Sequence, residues 1–289
     1  MSTFPHTEPE FSQWLVSEYF KHGTVEEVLR VNRYSLPVSP ATYHRILNQF
    51  GVVKTAGPNN LLNEAVDFLS HMLHDNASVE EIYKKLPLRF QTSLSTIYRI
   101  AEYAKEGLTR RVGVGLVITP FNSNQQILLA EDVSTPRIEL GKPYDSISLP
   151  KGYAKKRESR KTNVLRILQQ EVFTNLVVKQ SFPKELVSEK LEPFMYLDIV
   201  DVRVAIFHLQ LPKNLSAINS FSSNKLKNYR FIGIDEIGQI PNLRVGVKES
   251  VSGYKKYLDL LSRNLAVNPM QAQSLLNRDL TTVAVQMEV

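Results

Sequence analysis

One stretch of the chain, Ser148 to Val178, places a glycine, an acid and an arginine at fixed intervals. Gly152 is followed after five residues by Glu158, and Arg166 follows Glu158 after seven more. Apolar residues then recur at helical intervals. This order predicts a loop that leads into a helix over about residues 159–173, and the rest of the chain is organised around that segment.

The stretch resembles the Nudix box of the Nudix hydrolase superfamily, which reads Gly, five residues, Glu, seven residues, Arg-Glu-aliphatic-x-Glu-Glu-x-Gly-aliphatic. Leu168 holds the aliphatic position and Glu171 the last acidic position, and Leu149-Pro150 precedes the box as the family usually shows. The sequence departs from the signature at three positions. Ile167 replaces the first glutamate of Arg-Glu, Gln170 replaces the first of the paired glutamates, and Phe173 replaces the glycine.

These departures fall where the family holds its metal ion. Nudix enzymes cleave diphosphates bound through Mg²⁺, which prefers carboxylate oxygens. Positions 167, 170 and 171 lie three and four residues apart, so they share one helix face. Isoleucine cannot ligate a metal, and glutamine offers only a neutral carbonyl. We therefore expect ordinary Nudix hydrolysis to be lost; Glu158 and Glu171 are the catalytic candidates, and Glu171 the metal ligand, if activity persists.

Basic side chains crowd the same stretch, and Glu158 is the one acid among them before Glu171. One interpretation is direct, metal-free contact with a phosphate-bearing ligand or a nucleic-acid backbone. The other is a solvated basic loop, which is what a run of charge usually is. The residues concerned are Lys151, Lys155, Lys156, Arg157, Arg160 and Lys161.

The composition is that of an ordinary globular protein, with 43% hydrophobic and 22% charged residues. A length of 289 residues suffices for two domains or more. The absence of cysteine excludes disulfides and thiolate metal sites and fits a reducing, cytoplasmic compartment. The start, MSTFPHTEPEFSQW, lacks a basic segment followed by an apolar core, and no apolar run approaches about 18 residues. We expect neither a secretory signal nor a membrane span.

An internal repeat occupies the N-terminal third of the chain. Thr24–Val28 matches Ser78–Ile82, and residues in 39–46 match residues in 93–100, always at an offset of 54 positions. Thr24 and Ser78 each have the spacing of a capping box, and Ser39 before Pro40 is placed to cap a further helix, so each copy predicts a unit of about three helices. The unit resembles the helix-turn-helix modules of resolvases, transposases and many regulators. The predicted modules are residues 1–60 and 61–110.

The last helix of each copy predicts a surface that contacts DNA. In the first copy Ile46, Leu47 and Phe50 form the buried side, and arginine or asparagine on the open side can read base edges. Residues 1–110 carry 11 basic and 12 acidic side chains, which favours instead a helical bundle that binds protein. The basic remainder of the chain can supply the missing charge. The predicted DNA-binding residues are His44, Arg45, Asn48, Ser95, Tyr98 and Arg99.

The region 111–265 is predicted to be a Nudix-like domain. Its apolar segments predict a first pair of strands, a hairpin across residues 200–201, a late strand near Tyr229–Ile234 and an amphipathic helix over Lys248–Arg263. The resemblance implies a mixed-sheet α/β fold, an α/β/α sandwich, behind the all-α tandem modules. Residues 266–289 are predicted to be a tail whose alternating end is typical of a strand.

Three functions are compatible with this organisation. The first is a DNA-binding regulator or DNA-associated protein whose degenerate Nudix domain senses a ligand, contacts nucleic acid or organises an assembly. The second is an active hydrolase of a nucleoside diphosphate derivative, which needs Mg²⁺ and help from acids such as Glu131 or Asp145. The third is a protein-interaction scaffold. The first predicts DNA and a nucleotide-like ligand as partners and no cofactor, and leaves a homodimer open.

Overall fold

The computed structural model describes residues 4–55, 111–136, 142–155, 158–199 and 202–275. The chain divides into two compact units, residues 1–55 with 112–289 and residues 56–111. The predicted second module and the predicted C-terminal strand therefore lie outside the described residues. No helix in the described ranges combines the length and the apolar character that a membrane span needs.

Three helices form the N-terminal helical region, α1 (Glu8–His22), α2 (Val25–Val31) and α3 (Pro40–Gln49). Two of them begin at predicted caps. The Thr24 side chain accepts a hydrogen bond from the Glu27 N–H at 3.1 Å, and Ser39 accepts one from the Thr42 N–H at 3.1 Å. Each bond satisfies an N–H group that has no partner inside its helix. The capping predicted at both residues is confirmed.

The connection between α2 and α3 spans residues 32–39. It is longer than the turn of about three to four residues in DNA-binding helix-turn-helix motifs. Arg33 and Tyr34 within it have φ angles of 52° and 55°. The helices meet around a shared core in which the Tyr43 hydroxyl donates to the Leu15 carbonyl at 2.6 Å. This region is a three-helix unit, and the tandem helix-turn-helix assignment stays a prediction.

Strands and three further helices make up the described part of the second region. The helices are α4 (Arg160–Glu171), α5 (Thr174–Val178) and α6 (Val247–Ser262). The strands are β1 (Arg111–Thr119), β2 (Gln126–Asp132), β3 (Ser146–Ser148), β4 (Lys151–Tyr153), β5 (Met195–Ile199), β6 (Val202–Gln210), β7 (Leu226–Gly233) and β8 (Met270–Gln273).

The strands form two sheets, one in the order β4-β1-β6-β5-β8 and one in the order β3-β2-β7. β8 runs parallel to β5, whereas β5 and β6 pair in antiparallel fashion, as do β1 with β4 and β2 with both β3 and β7. The predicted hairpin is present, because Ile199 pairs with Val202. The prediction of an α/β domain with a mixed sheet is confirmed.

The central strands are buried on both faces, which explains their nearly continuous apolar sequences. Leu116 and Ile118 of β1 belong to a core that includes residues of α4, whereas Val117 between them belongs to a core that includes residues of α6. Leu128 of β2 lies in the first core, and its neighbours lie in the second. The sheets therefore carry α4 and α6 on opposite faces, and the box helix is anchored by apolar side chains of the sheet.

The helical region shares its apolar core with the region that follows. Val177 of α5 is buried among side chains of α1, α2 and α3. Phe182, a few residues later, packs against this core and also against the core beneath α4. The predicted boundary at residue 60 is not tested and stays a prediction, but the described residues up to 55 pack directly on the α/β region.

Candidate functional site

The box folds as a strand, a loop and a helix. β4 holds Gly152, and Ser159 caps α4 by accepting a hydrogen bond from the Thr162 N–H at 3.1 Å. Glu158, just before the cap, is paired with the guanidinium of Arg166, which lies eight residues later, about two helical turns along α4. The first acid and the arginine of the signature are therefore brought together by local folding.

Position 167 points into apolar surroundings. Ile167 is 1% exposed and belongs to the core beneath α4. Its Cδ1 atom would lie 2.9 Å from a Cβ atom on Gly152, so the glycine leaves just enough room for the isoleucine. The side chain that replaces the first glutamate is thus a packing element between α4 and β4.

The remaining acid of the box, Glu171, is bound by a cation. The Lys225 Nζ atom lies 3.2 Å from the Glu171 carboxylate, which is 6% exposed. The Tyr229 hydroxyl donates to the Glu171 carbonyl at 2.6 Å, and burial raises the pKa of that tyrosine. Lys225 therefore places an ammonium group against the one box carboxylate that the metal-ligand positions retain.

The position before Glu171 carries an amide. The Gln170 side-chain nitrogen is buried and has no hydrogen-bond partner among the described residues. The amide nitrogen of glutamine cannot ligate a cation, and its carbonyl oxygen is a neutral ligand without the negative charge of a glutamate. Among the described residues, no group of three or more histidine and acidic side chains is placed to hold a metal ion. The residues at the box positions therefore do not fit Mg²⁺, and we derive no catalytic step through a metal.

A second group of charges lies at the end of β2. The Asp132 carboxylate, 5% exposed, is paired with Lys142 at 3.2 Å and with Arg244 at 2.9 Å. It also accepts hydrogen bonds from the N–H and hydroxyl groups of Ser134. The Lys151 Nζ atom donates to the Val245 carbonyl at 2.8 Å, next to Arg244. Lys151 was predicted as a phosphate contact, whereas no signal in the sequence identifies its three charged neighbours.

Three other predicted phosphate contacts are partnered within the chain. Lys155 lies 3.3 Å from Glu158, Lys161 lies 2.7 Å from Glu189, and Arg160 pairs with Glu192. These pairs are largely exposed and are therefore weak and easily exchanged for an anionic ligand. Lys156 and Arg157 lie outside the described residues. Phosphate contact by the box stays a prediction.

The predicted DNA-binding residues of the first module lie on α3. Arg45 and Asn48 are exposed, and Ile46 and Leu47 are buried on the opposite side. His44 is only half-exposed: its Nδ1 atom is buried and has no partner in the described ranges, and burial lowers the pKa of its imidazole. Ser95, Tyr98 and Arg99 lie outside the described residues. DNA contact by all six residues stays a prediction.

Two box residues hold the end of the helical region. The Arg166 Nε atom donates to the Lys54 carbonyl at 2.6 Å. The Gln169 amide accepts from the Val53 N–H at 2.8 Å and donates to the Gly51 carbonyl at 3.0 Å. Gln169 is fully buried, so these bonds replace contacts that the backbone would otherwise make with water. The box helix thus serves as the docking surface of residues 51–54, a role that the sequence did not predict.

We expect Gln169→Leu to lower the free energy of unfolding by about 2 kcal/mol, because it leaves a buried N–H and a buried carbonyl without partners. Urea denaturation at neutral pH measures the change. Gln170→Leu is the matched control on the same helix, since it removes an amide nitrogen that has no described partner. Equal losses in both variants would show that the contacts of Gln169 do not contribute specifically.

Comparison with known proteins gives structural neighbours only. No protein-family model and no curated protein matches the chain. Similar solved structures include a Nudix hydrolase from Nitrosomonas europaea, with 14% identity, a TM-score of 0.37 and coverage of 57% of this chain and 79% of that one. An ADP-ribose pyrophosphatase from Streptococcus suis is similar at 17% identity and a TM-score of 0.38, with 57% and 100% coverage.

A further similar structure is the Nudix domain of Shewanella oneidensis NrtR in complex with ADP ribose. Its identity is 14% and its TM-score 0.37, with coverage of 55% of this chain and 97% of that domain. At these identities and TM-scores the likeness carries no argument about what the present chain binds or catalyses.

Proposed function

We propose that the chain is a DNA-associated regulator whose Nudix-like domain binds a phosphate-bearing, nucleotide-like ligand without hydrolysing it. The observation that carries the proposal is the pairing of Glu171 with Lys225 at 3.2 Å. An ammonium group there supplies the positive charge that a divalent ion supplies in a metal site. It cannot, however, lower the pKa of a bound water or bridge two phosphate groups as a metal does.

The alternative of an active hydrolase needs further acids near the box. Glu131 accepts a hydrogen bond from Asn228 at 2.6 Å, and Asp145 lies in an exposed turn with a φ of 50°. Neither joins Glu158 and Glu171 in a described group of three metal-binding side chains. This arrangement favours a ligand-binding role over hydrolysis. A scaffold role draws no specific support from the described contacts.

Direct contact of the helical region with DNA rests on α3. Arg45 and Asn48 share its exposed side, as a reading helix requires. The docking of residues 51–54 on the box helix fixes this end of the region against the ligand-binding domain. Such a connection provides a physical route by which a ligand could influence the helices, in keeping with a regulator.

The purified protein is expected to show negligible Mg²⁺-dependent hydrolysis of ADP-ribose or dinucleoside polyphosphates. Isothermal titration with Mg²⁺ is expected to show only weak binding, because one lysine-bound carboxylate is a poor ligand set. Product formation is followed by chromatography, with Glu171→Gln as the matched variant. Robust turnover that Glu171→Gln abolishes would contradict the proposal.

We expect Arg45→Ala to weaken binding to a preferred DNA duplex, selected from a random-sequence pool, by about 1–3 kcal/mol if the side chain reads a base. Fluorescence anisotropy measures the affinity at fixed salt. Arg30→Ala is the control, because Arg30 is an equally exposed cation of the same region that pairs with Glu27 on α2. A selected duplex bound equally by the parent and by Arg45→Ala would rule out α3 as the reading helix.

A further inference from the structure

A largely buried cationic cluster lies where β2 ends and β3 begins. It contains Lys142, Lys151 and Arg244, which interact electrostatically with one another. Lys151 also interacts with Asp132 and Glu249, and Lys142 with Asp132 and Glu171. Lys142 and Asp132 are less than a tenth exposed. Among the described residues, three basic side chains therefore face three carboxylates, Asp132, Glu171 and Glu249, in surroundings that screen charge poorly.

The Lys151 ammonium is poorly satisfied in this cluster. Its one hydrogen bond in the described part of the chain goes to the neutral Val245 carbonyl, although an ammonium group has three donors. Burial, and after it the positive charge of Arg244, holds the pKa of Lys151 well below that of an ordinary lysine. An anion beside Lys151 would favour its charged form and use its free donors.

A buried hydroxyl adjoins the same cluster. Ser146 is directly opposite Asp132 in the antiparallel pairing of β3 with β2, so the two side chains lie on the same face. Ser146 is fully buried, and its Oγ atom has no hydrogen-bond partner among the described residues. Buried polar groups in folded proteins nearly always have one. Ser148, on the same strand, has such a partner, because its hydroxyl donates to the Leu149 carbonyl at 2.8 Å.

We propose that Lys151, Arg244 and the Ser146 hydroxyl form a metal-free binding site for the phosphate or diphosphate group of a small ligand. This inference rests on the proposed function and assigns its ligand site to the end of β2 and the start of β3. Lys142 neutralises the adjacent Asp132 and so keeps the carboxylate from repelling an anion. A phosphate group suits these donors, because its several oxygens accept from ammonium, guanidinium and hydroxyl groups at once.

The burial of the cluster selects a small ligand over a nucleic-acid backbone. A duplex presents its phosphates on a convex surface and is bound by exposed lysine and arginine side chains. Lys155, before α4, and Arg160, its first residue, are of that exposed kind, with side chains 48% and 52% exposed. The chain thus holds two separate sets of cations, and the buried set is assigned to the terminal phosphates of the ligand.

The test is isothermal titration of the full chain with inorganic pyrophosphate, in EDTA and without divalent ions. Pyrophosphate is expected to bind the parent, and Ser146→Ala and Lys151→Met are each expected to weaken binding about tenfold or more. Ser148→Ala is the matched control and is expected to bind like the parent. A variant with Lys155, Lys156 and Arg157 replaced by alanine is also expected to bind like the parent.

The outcomes separate this site from the proposed function. Undiminished binding by Ser146→Ala would overturn the assignment of the ligand site. Loss of binding only in the variant that lacks Lys155, Lys156 and Arg157 would also overturn it. Either result would leave the proposal of a phosphate-binding regulator intact. Absence of pyrophosphate binding by the parent would overturn the site, whatever the DNA and hydrolysis assays show. If Lys151→Met does not fold, as judged by circular dichroism, the comparison of Ser146→Ala with Ser148→Ala decides alone.

Discussion

Replacing Arg166 with methionine is expected to lower the free energy of unfolding by about 3–5 kcal/mol. The guanidinium is 1% exposed and has three partners, the Lys54 carbonyl, the Asn163 side chain and the Glu158 carboxylate. Methionine preserves the volume but leaves all three without their donor. Because one partner belongs to the helical region, the loss should also loosen the docking of residues 51–54.

Urea denaturation gives the free energy, and hydrogen exchange at residues 51–54 reports the docking. Arg263→Met is the matched control, since Arg263 pairs with Asp259 at the exposed end of α6 and its removal should leave stability unchanged. A loss in Arg166→Met no greater than that in Arg263→Met would show that the buried pair contributes nothing. Unchanged exchange at residues 51–54 would separate the stability of α4 from the docking.

Locally encoded features of the fold were predictable from the sequence. The caps at Thr24 and Ser39 depend on residues three positions apart, and the structure confirms both. The helix predicted over about 159–173 forms over Arg160–Glu171 because its loop, cap and apolar face are all local. The short strands β3 and β4 and the edge strand β8 have too few residues to show a period, so the sequence did not predict them.

The partners at the site could not be predicted, because they come from distant parts of the chain. Val53 meets Gln169 across 116 positions, and Asp132 meets Arg244 across 112. No spacing rule links such residues; the sheet topology brings them together. The role assigned to Glu171 changes for the same reason. The sequence shows one carboxylate left from a metal site, and the structure shows that a lysine from the loop before β7 binds it.

A buried histidine gives the fold a predictable sensitivity to acid. His208 of β6 lies between β1 and α6, with its Nε2 atom 3.0 Å from the Thr119 hydroxyl and 3.1 Å from the Tyr254 hydroxyl. The rings of Tyr254 and Tyr257 pack against it, and these phenols stay neutral in acid. Burial lowers the pKa of His208 from 6.5 to about 4. The folded protein therefore holds the imidazole neutral.

The sign of the effect follows from the two pKa values. The unfolded chain takes up a proton near pH 6.5, whereas the folded protein resists it until about pH 4. Stability from this residue is therefore present above pH 6.5 and is lost as the pH falls towards 4. We expect a loss of about 3 kcal/mol between pH 7 and pH 4, since each pKa unit corresponds to about 1.4 kcal/mol.

The experiment compares the parent with His208→Gln, which cannot take up the proton, by urea denaturation at pH 7, 5.5 and 4.5. The parent should lose more stability than the variant as the pH falls, because the other titrating groups are common to both and cancel in the difference. His6→Gln, at an exposed histidine, is the control and should follow the parent. Parallel curves for the parent and His208→Gln would mean that His208 is protonated as easily in the folded protein as in the unfolded chain. The packing of β6 against α6 would then have to admit water to the imidazole.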